Sequence, residues 1–312
     1  MKLFLGVDGG QSGTKAVIGD ENGRILGAGE AGPCNHAAAG EGRAKLERAV
    51  KGSVGAACAQ AGLHPDSVEF EAACFGMSGG PEDKREILAA ALRTGHLVVT
   101  NDAVIALAGA TRSGQGIITI AGTGSIAFGR NAAGRTARAG GWGYVFGDEG
   151  GGFDIARRAL RSVLRMEEGW GSPTALREPL LEATGSATAN EMLHRFYTDE
   201  WPRSRVAKLA RVVDAVATEG DAVAQALMRG AAQELAILAG AVRESLWTGG
   251  ETVEIAYIGG VFQSDAVRET FRTLVEYTEG VHCGPPWKGP AEGALREAYR
   301  SVGLDQAVES AT

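Results

Sequence analysis

Apolar positions in the first third of the chain come in short blocks separated by glycine-rich turns, and in the last third they recur at helical spacing. Leu3, Phe4, Leu5 and Val7 form a run that reads as a buried strand. It ends in Asp8 and the turn Gly9-Gly10-Gln11-Ser12-Gly13-Thr14. Ala16-Val17-Ile18 reads as a second strand, Asn22-Gly23 closes a further turn, and 24–28 returns as a third strand. The chain therefore opens as a meander with a glycine turn between its first two strands.

A helix is expected over 41–62, with Leu46, Val50, Val54, Cys58 and Ala61 on one face. A strand over 68–75 leads into Gly76-Met77-Ser78-Gly79-Gly80, followed by a helix over 82–93. The strand 97–99 ends at Thr100-Asn101-Asp102, and 103–110 is helical. A second copy of this plan begins at Gly116. It has a strand over 117–120, the turn Ala121-Gly122-Thr123-Gly124-Ser125, a strand over 126–129 and the start of a third at 136–138. Residues 138–152 form a glycine-rich loop with polar and aromatic residues. Helices are then expected over 153–165, 188–197, 206–218 and 221–247. A strand over 252–258 ends in Gly259-Gly260-Val261, Ser264 caps a helix that runs to 277, Pro285-Pro286 breaks the chain, and 292–302 is the last helix.

Composition narrows the classes. At 312 residues the chain suits two modest domains or one large α/β domain. A net charge of −7 argues against a nucleic-acid surface, which needs a basic stripe. The 47 glycines, well above the ordinary ~7% usage, fall at strand ends rather than in low-complexity runs. The four cysteines, Cys34, Cys58, Cys74 and Cys283, form no C-x-x-C pair, as expected of a reduced cytoplasmic protein. No apolar run approaches the ~18 residues of a membrane span, and no secretory leader is expected.

The setting of the first turn selects among nucleotide loops. A dinucleotide-binding glycine turn opens a helix, whereas this one opens a β-branched strand. A Walker A loop ends in Gly-Lys-Ser/Thr, and here the order is Gly13-Thr14-Lys15. Two readings remain: a hairpin whose backbone N–H groups cradle phosphate, with Asp8 near a phosphate-bound Mg²⁺ through water, or a plain tight hairpin.

Five features together carry a family resemblance. They are the strand–Asp-Gly-Gly-x-x-Gly-Thr hairpin, the strand ending in Asn101-Asp102, the second strand–Gly-Thr-Gly-Ser hairpin, the loop Gly140 to Gly150 (GGWGYVFGDEG), and the Gly-Gly-Val turn before a helix. The chain resembles the sugar-kinase/Hsp70/actin superfamily, and within it the group of N-acetylglucosamine kinases and BadF/BadG/BcrA/BcrD-type ATPases. The resemblance runs from Gly6 to the last helix. It implies an α/β, two-domain actin-like ATPase (ribonuclease H-like) fold with duplicated βββαβα units and a nucleotide cleft between the domains. The domains would be 1–112 and 113–289, with the last helix packing back on the first.

The resemblance also implies roles. Gly9, Gly10, Ser12, Gly13 and Thr14 would form one phosphate clamp, Gly122, Thr123 and Gly124 the other, and Gly259 and Gly260 would hold the adenosine of ATP. Asp102, at a strand's carboxyl end, would be the general base; capping of the following helix is the competing role, and both can hold. Asn35, His36, Ser78, Gly141, Trp142 and Asp148 would bind an amino sugar such as N-acetylglucosamine or glucosamine, with Asp102 beside them, and its 6-OH would receive the phosphoryl group. Ile126 stands where some N-acetylglucosamine kinases carry a polar residue, which leaves glucosamine and N-acetylmuramic acid open as substrates. Two rival functions belong to the same wider group. One is an ATPase activator of a radical dehydratase or reductase, which would need cysteines for a shared iron–sulfur cluster. The other is a non-catalytic sugar sensor, which usually carries a DNA-binding segment before the first strand. The helices over 206–218 and 221–247 could pack a homodimer, although core burial is the commoner fate of such stripes.

Overall fold

A computed structural model describes residues 1–10, 13–34, 42–77 and 84–304. The chain forms two units: Met1–Gly116 together with the chain from Pro286 onward, and Ile117–Pro285.

The first unit is built on a five-stranded sheet of order β3-β2-β1-β4-β5. Its strands are β1 (Leu3–Gly9), β2 (Thr14–Asp20), β3 (Ile25–Ala31), β4 (Phe70–Met77) and β5 (Thr94–Asn101). The β1-β2-β3 meander is antiparallel, and β4 and β5 join it in parallel. Its first helices are α1 (Gly42–Gln60), α2 (Arg85–Ala91) and α3 (Asp102–Ala110). Side chains alternate across the sheet with the strand period of two. Leu3, Leu5, Val7, Ile18 and Phe75 join Leu46, Val50 and Val54 of α1 in one core, while Phe4, Val17, Ala72 and Cys74 face the other way.

The second unit repeats the plan. Its sheet has the order β10-β9-β6-β7-β8, which read from the other end matches the first unit strand for strand. The strands are β6 (Gly116–Ala121), β7 (Ser125–Arg130), β8 (Thr136–Gly140), β9 (Val253–Ile258) and β10 (Val281–Gly284). Between β8 and β9 lie α4 (Gly152–Glu167), α5 (Arg177–Thr184), α6 (Ala189–Arg195), α7 (Arg203–Ala207), α8 (Ala210–Thr218) and α9 (Ala222–Leu246). A 3-10 turn (Gly260–Gln263) and α10 (Asp265–Glu276) follow β9.

The last helix, α11 (Pro290–Arg300), covers the second face of the first sheet, burying Ala291, Ala294, Leu295, Ala298 and Tyr299 against Phe4 and Ile105. Gly6 makes this possible, since a Cβ there would meet the backbone of Leu295. Tyr299 Oη donates to the Asp20 carbonyl at 2.6 Å, which satisfies the phenol inside the core.

Several elements differ from the expectation. The helix expected over 206–218 is two helices, α7 and α8. At the junction Lys208, Leu209, Arg211 and Val212 bond three residues back instead of four, a 3-10 geometry. The apolar stripe Val206, Leu209, Val213, Val216 is buried throughout, so periodicity runs across the joint and hides it. α5 was not anticipated; it carries Pro179 in its first turn, where proline is tolerated, and ends at Gly185 in the left-handed region. β10 has only four residues, too few to show a period. β5 extends well beyond 97–99, and α11 starts at Pro290 because proline suits the first helical position. Among the described residues no helix is long and apolar enough to cross a membrane.

Candidate active site

In the first unit, parallel pairing sets three strand ends side by side. Asp8 lies opposite Gly76 and Gly9 opposite Met77 across β1 and β4, and Met77 lies opposite Asn101 across β4 and β5. Asp8, Gly9, Asn101 and Asp102 therefore share the carboxyl edge of the sheet, where open α/β sheets place ligands. Asp102 does not cap α3. The cap is Asn101, whose side chain accepts from Val104 N–H at 3.0 Å. Asp102 is the first helical residue, exposed, at the positive end of the helix dipole.

Asp8 is half-buried. Burial first, and the nearby Asp102 carboxylate second, push its pKa up to about 6, against a smaller pull from Lys15. Two carboxylates are thus held close together at the sheet edge. The turn beside them is closed by Gly10 N–H donating to Gly13 O at 2.9 Å, and Cys34 N–H donates to Gly10 O at 3.1 Å. Gly9 is packed against the sulfurs of Cys34 and Met77, so no Cβ fits there. Thr14 is fully buried and its hydroxyl donates to Gly32 O at 3.0 Å. Ser12, Asn35, His36 and Ser78 lie outside the described residues.

In the second unit the hairpin Gly122-Thr123-Gly124 is closed by Gly122 N–H donating to Gly124 O at 2.9 Å. It is tied to the start of α4, where Gly152 N–H donates to Gly122 O (2.8 Å) and Phe153 N–H to Thr123 O (3.1 Å). Beside it opens a cavity of about 520 Å³ whose lining includes Gly122, Thr123, Lys208, Arg211, Asp214 and Gly260. A Cβ at Gly122 or Gly260 would meet nothing within 4 Å. The backbone there is bare to whatever fills the cavity. Gly259 is different: at φ 113° it is folded against Ala121 and shapes the turn from behind. Ser264 accepts from Val267 N–H as the cap of α10 and donates to Asp214 Oδ1. Arg211 donates to Gln263 Oε1 at 3.1 Å.

The glycine loop after β8 lies in this same unit. Trp142 is 65% exposed, with the Arg138 guanidinium 4.5 Å from its ring centre. Gly141 has φ 72° and rests against Ile126. Asp148 is buried at φ 64°, accepts Ser125 N–H at 3.4 Å, and pairs with Arg203 at 2.9 Å. Its carboxylate occupies the space where a Cβ of Gly124 would go. Asp148 is thus built into the second hairpin, whereas Trp142 is presented to solvent.

Sequence reasoning missed Arg203, Lys208, Arg211, Asp214 and Gln263. A faint signal existed: Lys208, Arg211 and Asp214 recur every third residue opposite the apolar stripe, a polar stripe that faces the cavity.

Two sheets of like order, each with a meander hairpin at its edge, define the two-domain actin-like fold of the sugar kinases. A solved structure of that class, a candidate N-acetylglucosamine kinase from Chromobacterium violaceum, superposes with a TM-score of 0.73 at 28% identity, covering 95% of this chain and 98% of that one. A ROK family glucokinase from Streptomyces griseus, in complex with glucose and AMPPNP, shares the fold with a TM-score of 0.55 at 18% identity, covering 96% and 99%. The model of the BadF/BadG/BcrA/BcrD ATPase family matches residues 5–295, and the chain belongs to that family. It is 34% identical over 272 residues to the N-acetylmuramic acid/N-acetylglucosamine kinase of Clostridium acetobutylicum, covering 85% of this chain and 87% of the relative. It is 30% identical over 282 residues to the N-acetyl-D-glucosamine kinase of Dictyostelium discoideum, covering 83% and 85%.

Proposed function

We propose that the protein is an ATP-dependent kinase that phosphorylates a hydroxyl, the 6-OH, of an amino sugar of the N-acetylglucosamine, N-acetylmuramic acid or glucosamine type. The observation that carries this reading is the pair Asp8 and Asp102 at the carboxyl edge of the first sheet, in a chain similar along most of its length to kinases of such sugars.

Phosphoryl transfer asks the protein for positioning, charge stabilisation and a carboxylate on the acceptor hydroxyl. Asp102 is exposed at its helix N-terminus and is the group assigned to orient that hydroxyl and accept its proton. Asp8 and the phosphate oxygens suit Mg²⁺, a hard cation that takes one or two carboxylates and keeps several waters. The raised pKa of Asp8 marks a carboxylate whose negative charge is poorly compensated by the protein alone. When bound, Mg²⁺ would neutralise charge on the transferred phosphoryl group. The amides of Gly9, Gly10, Ser12, Gly13 and Thr14, and those of Gly122, Thr123 and Gly124, are assigned to phosphate, and Gly259 and Gly260 to the adenosine side of the cavity. Asn35, His36, Ser78, Gly141, Trp142 and Asp148 are assigned to the sugar. All four cysteines are buried, which disfavours an activator that ligates a shared cluster.

The test is ADP release with a panel of N-acetylglucosamine, N-acetylmuramic acid, glucosamine and glucose, with the product's phosphorylated position read by NMR. One amino sugar should stimulate turnover and yield the 6-phosphate. No sugar-stimulated turnover would sink the kinase reading, and a product phosphorylated elsewhere would correct the position alone.

A further inference from the structure

The five-residue helix α7 touches both ends of the second unit's site. Ser204, Ala207 and Lys208 line the cavity. The residue before them, Arg203, points the other way, into the Trp142 loop. Its guanidinium donates to Asp148 Oδ2 at 2.9 Å, lies 4.4 Å from the centre of the Tyr144 ring, and lies 5.6 Å from that of Phe153. Tyr144 and Phe153 meet edge to face at 5.4 Å. One planar cation thus joins four parts of the unit: its own helix, the carboxylate beneath the second hairpin, a ring of the glycine loop, and a ring of α4's first turn.

We propose that Arg203 is a positioning residue that couples occupancy of the nucleotide cavity to the conformation of the loop 140–151. It acts through Asp148 and Tyr144. Asp148 adopts a left-handed backbone that non-glycine residues rarely occupy, and such a conformation persists only where surrounding contacts fix it. On its carboxylate those contacts are Ser125 N–H and Arg203, and on its carbonyl Gly151 N–H. Elsewhere the loop is tied at its two ends, by Gly141 N–H to Ser125 O, Ser125 Oγ to Glu149 O and Gly150 N–H to Asp154 Oδ2, whereas in its middle Trp142, Val145 and Phe146 are 65%, 63% and 83% exposed. The loop spans six glycines besides (Gly140, Gly141, Gly143, Gly147, Gly150 and Gly151). A guanidinium fits this position because its edge pairs with a carboxylate while its face stacks on rings. Lysine would keep only the charge. Arg203 Nε is buried without a partner among the described residues, so the guanidinium is held there at a cost in unmet hydrogen bonding. A ligand that presses on Ser204 or Lys208 shifts α7 and, with it, the anchor of the loop.

The proposal rests on the kinase reading for its functional meaning, but its first test does not use turnover. Amide hydrogen exchange is measured over 141–151 in the wild type and in Arg203→Ala and Arg203→Lys, each with and without AMPPNP. In the wild type AMPPNP should slow exchange in this segment. In Arg203→Ala the segment should exchange about tenfold faster or more, and AMPPNP, still bound within about threefold of its wild-type Kd, should not restore protection. Arg203→Lys should fall between. In turnover, Arg203→Ala should raise the KM for the amino sugar about tenfold while KM for ATP moves less than about threefold, and added methylguanidine should recover part of the loss. Unchanged exchange over 141–151 in Arg203→Ala would overturn the proposal. So would exchange raised evenly through α4 to α9 in Arg203→Ala with Arg203→Lys like the wild type, because that pattern means a fold defect only. If the wild type shows no sugar-stimulated ADP release, the kinase reading fails, while the exchange data still decide the role of Arg203.

Discussion

The two hairpins have the same topological place and different surroundings. Each joins the central strand of its sheet to the next antiparallel strand, and each is closed by a glycine amide bonded across the turn. Around the first, the protein gathers carboxylates. Asp8 is the last residue but one of the strand before the turn, and Asp102 is near enough to push its pKa upward. Around the second, the carboxylate Asp148 is compensated by Arg203 and Ser125 N–H, and a cavity of about 520 Å³ opens beside the backbone. A duplicated scaffold has therefore been loaded asymmetrically. One copy keeps poorly compensated negative charge at its sheet edge, and the other keeps space and bare backbone. Substitutions at matching places should fail in different ways.

The largest difference is expected at Asp102. Asp102→Asn keeps its size and place but removes the proposed base, so kcat should fall about 10²–10⁴-fold with little change in KM. Thermal stability should stay within about 0.5 kcal/mol of wild type, because Asn101 and not Asp102 caps α3. Full activity in this variant would refute the assignment of the base, whatever the sugar.

Glycines separate the two functions of the second hairpin's surroundings. Gly259→Ala forces an L residue to φ 113° and drives its Cβ into the Ala121 backbone, so a loss of about 3 kcal/mol or more is expected in urea unfolding. Gly122→Ala meets nothing within 4 Å and should unfold close to wild type. Its methyl group intrudes on the cavity, and KM for ATP should rise about tenfold. If both variants lose only stability, the cavity is not the nucleotide site.

Much of this division was legible in the sequence. The strand-to-strand setting of Gly9 to Thr14 excluded a helix-opening loop, and the repeat of that setting at Gly122 to Ser125 gave the duplicated plan. Local pattern suffices for this because a hairpin is specified by a few adjacent residues. The cavity wall was not legible. Lys208, Arg211 and Asp214 reach Gly122 only through the tertiary fold, about 90 residues along the chain. Arg203 lay just outside the expected helix 206–218 because an apolar stripe ran unbroken across the α7–α8 joint. The cap of α3 was assigned one residue late for a similar reason: Asn101 and Asp102 are both good caps, and only backbone geometry distinguishes them.

Charge at the first hairpin has a consequence for pH. Asp8 titrates near 6 in the folded protein, against an ordinary carboxylate value near 3.8. Between these values the folded state binds more protons than the unfolded state, so this residue makes stability fall as pH rises from about 4 to 6. At pH 7 the ionised group opposes folding. Asp8→Asn should therefore stabilise the protein at pH 7 by about 1–2 kcal/mol, an advantage that fades below about pH 4. The same variant should lose Mg²⁺-dependent turnover, and wild-type activity should decline below about pH 6 as Asp8 takes up a proton. A destabilised Asp8→Asn would mean that the carboxylate is held by compensating contacts after all.

The smallest effects test where the two hairpins remain alike. In each, the first hydroxyl of the returning strand is turned inward to tether a later loop. Thr14 donates to Gly32 O at 3.0 Å, and Ser125 donates to Glu149 O at 2.6 Å. Both side chains are buried, at 0% and 4% exposure, so neither hydroxyl is presented to a phosphate. Thr14 would then serve phosphate through its backbone and not through its side chain. Thr14→Val keeps the shape and strands the Gly32 carbonyl, and Ser125→Ala does the same to Glu149. Each should cost about 1 kcal/mol of stability in urea unfolding, the ordinary net worth of one buried hydrogen bond. KM for ATP should change less than about threefold in Thr14→Val. A rise of about thirtyfold or more at unchanged stability would show that the hydroxyl swings out to the nucleotide, and the likeness between the two hairpins would then end at their backbones.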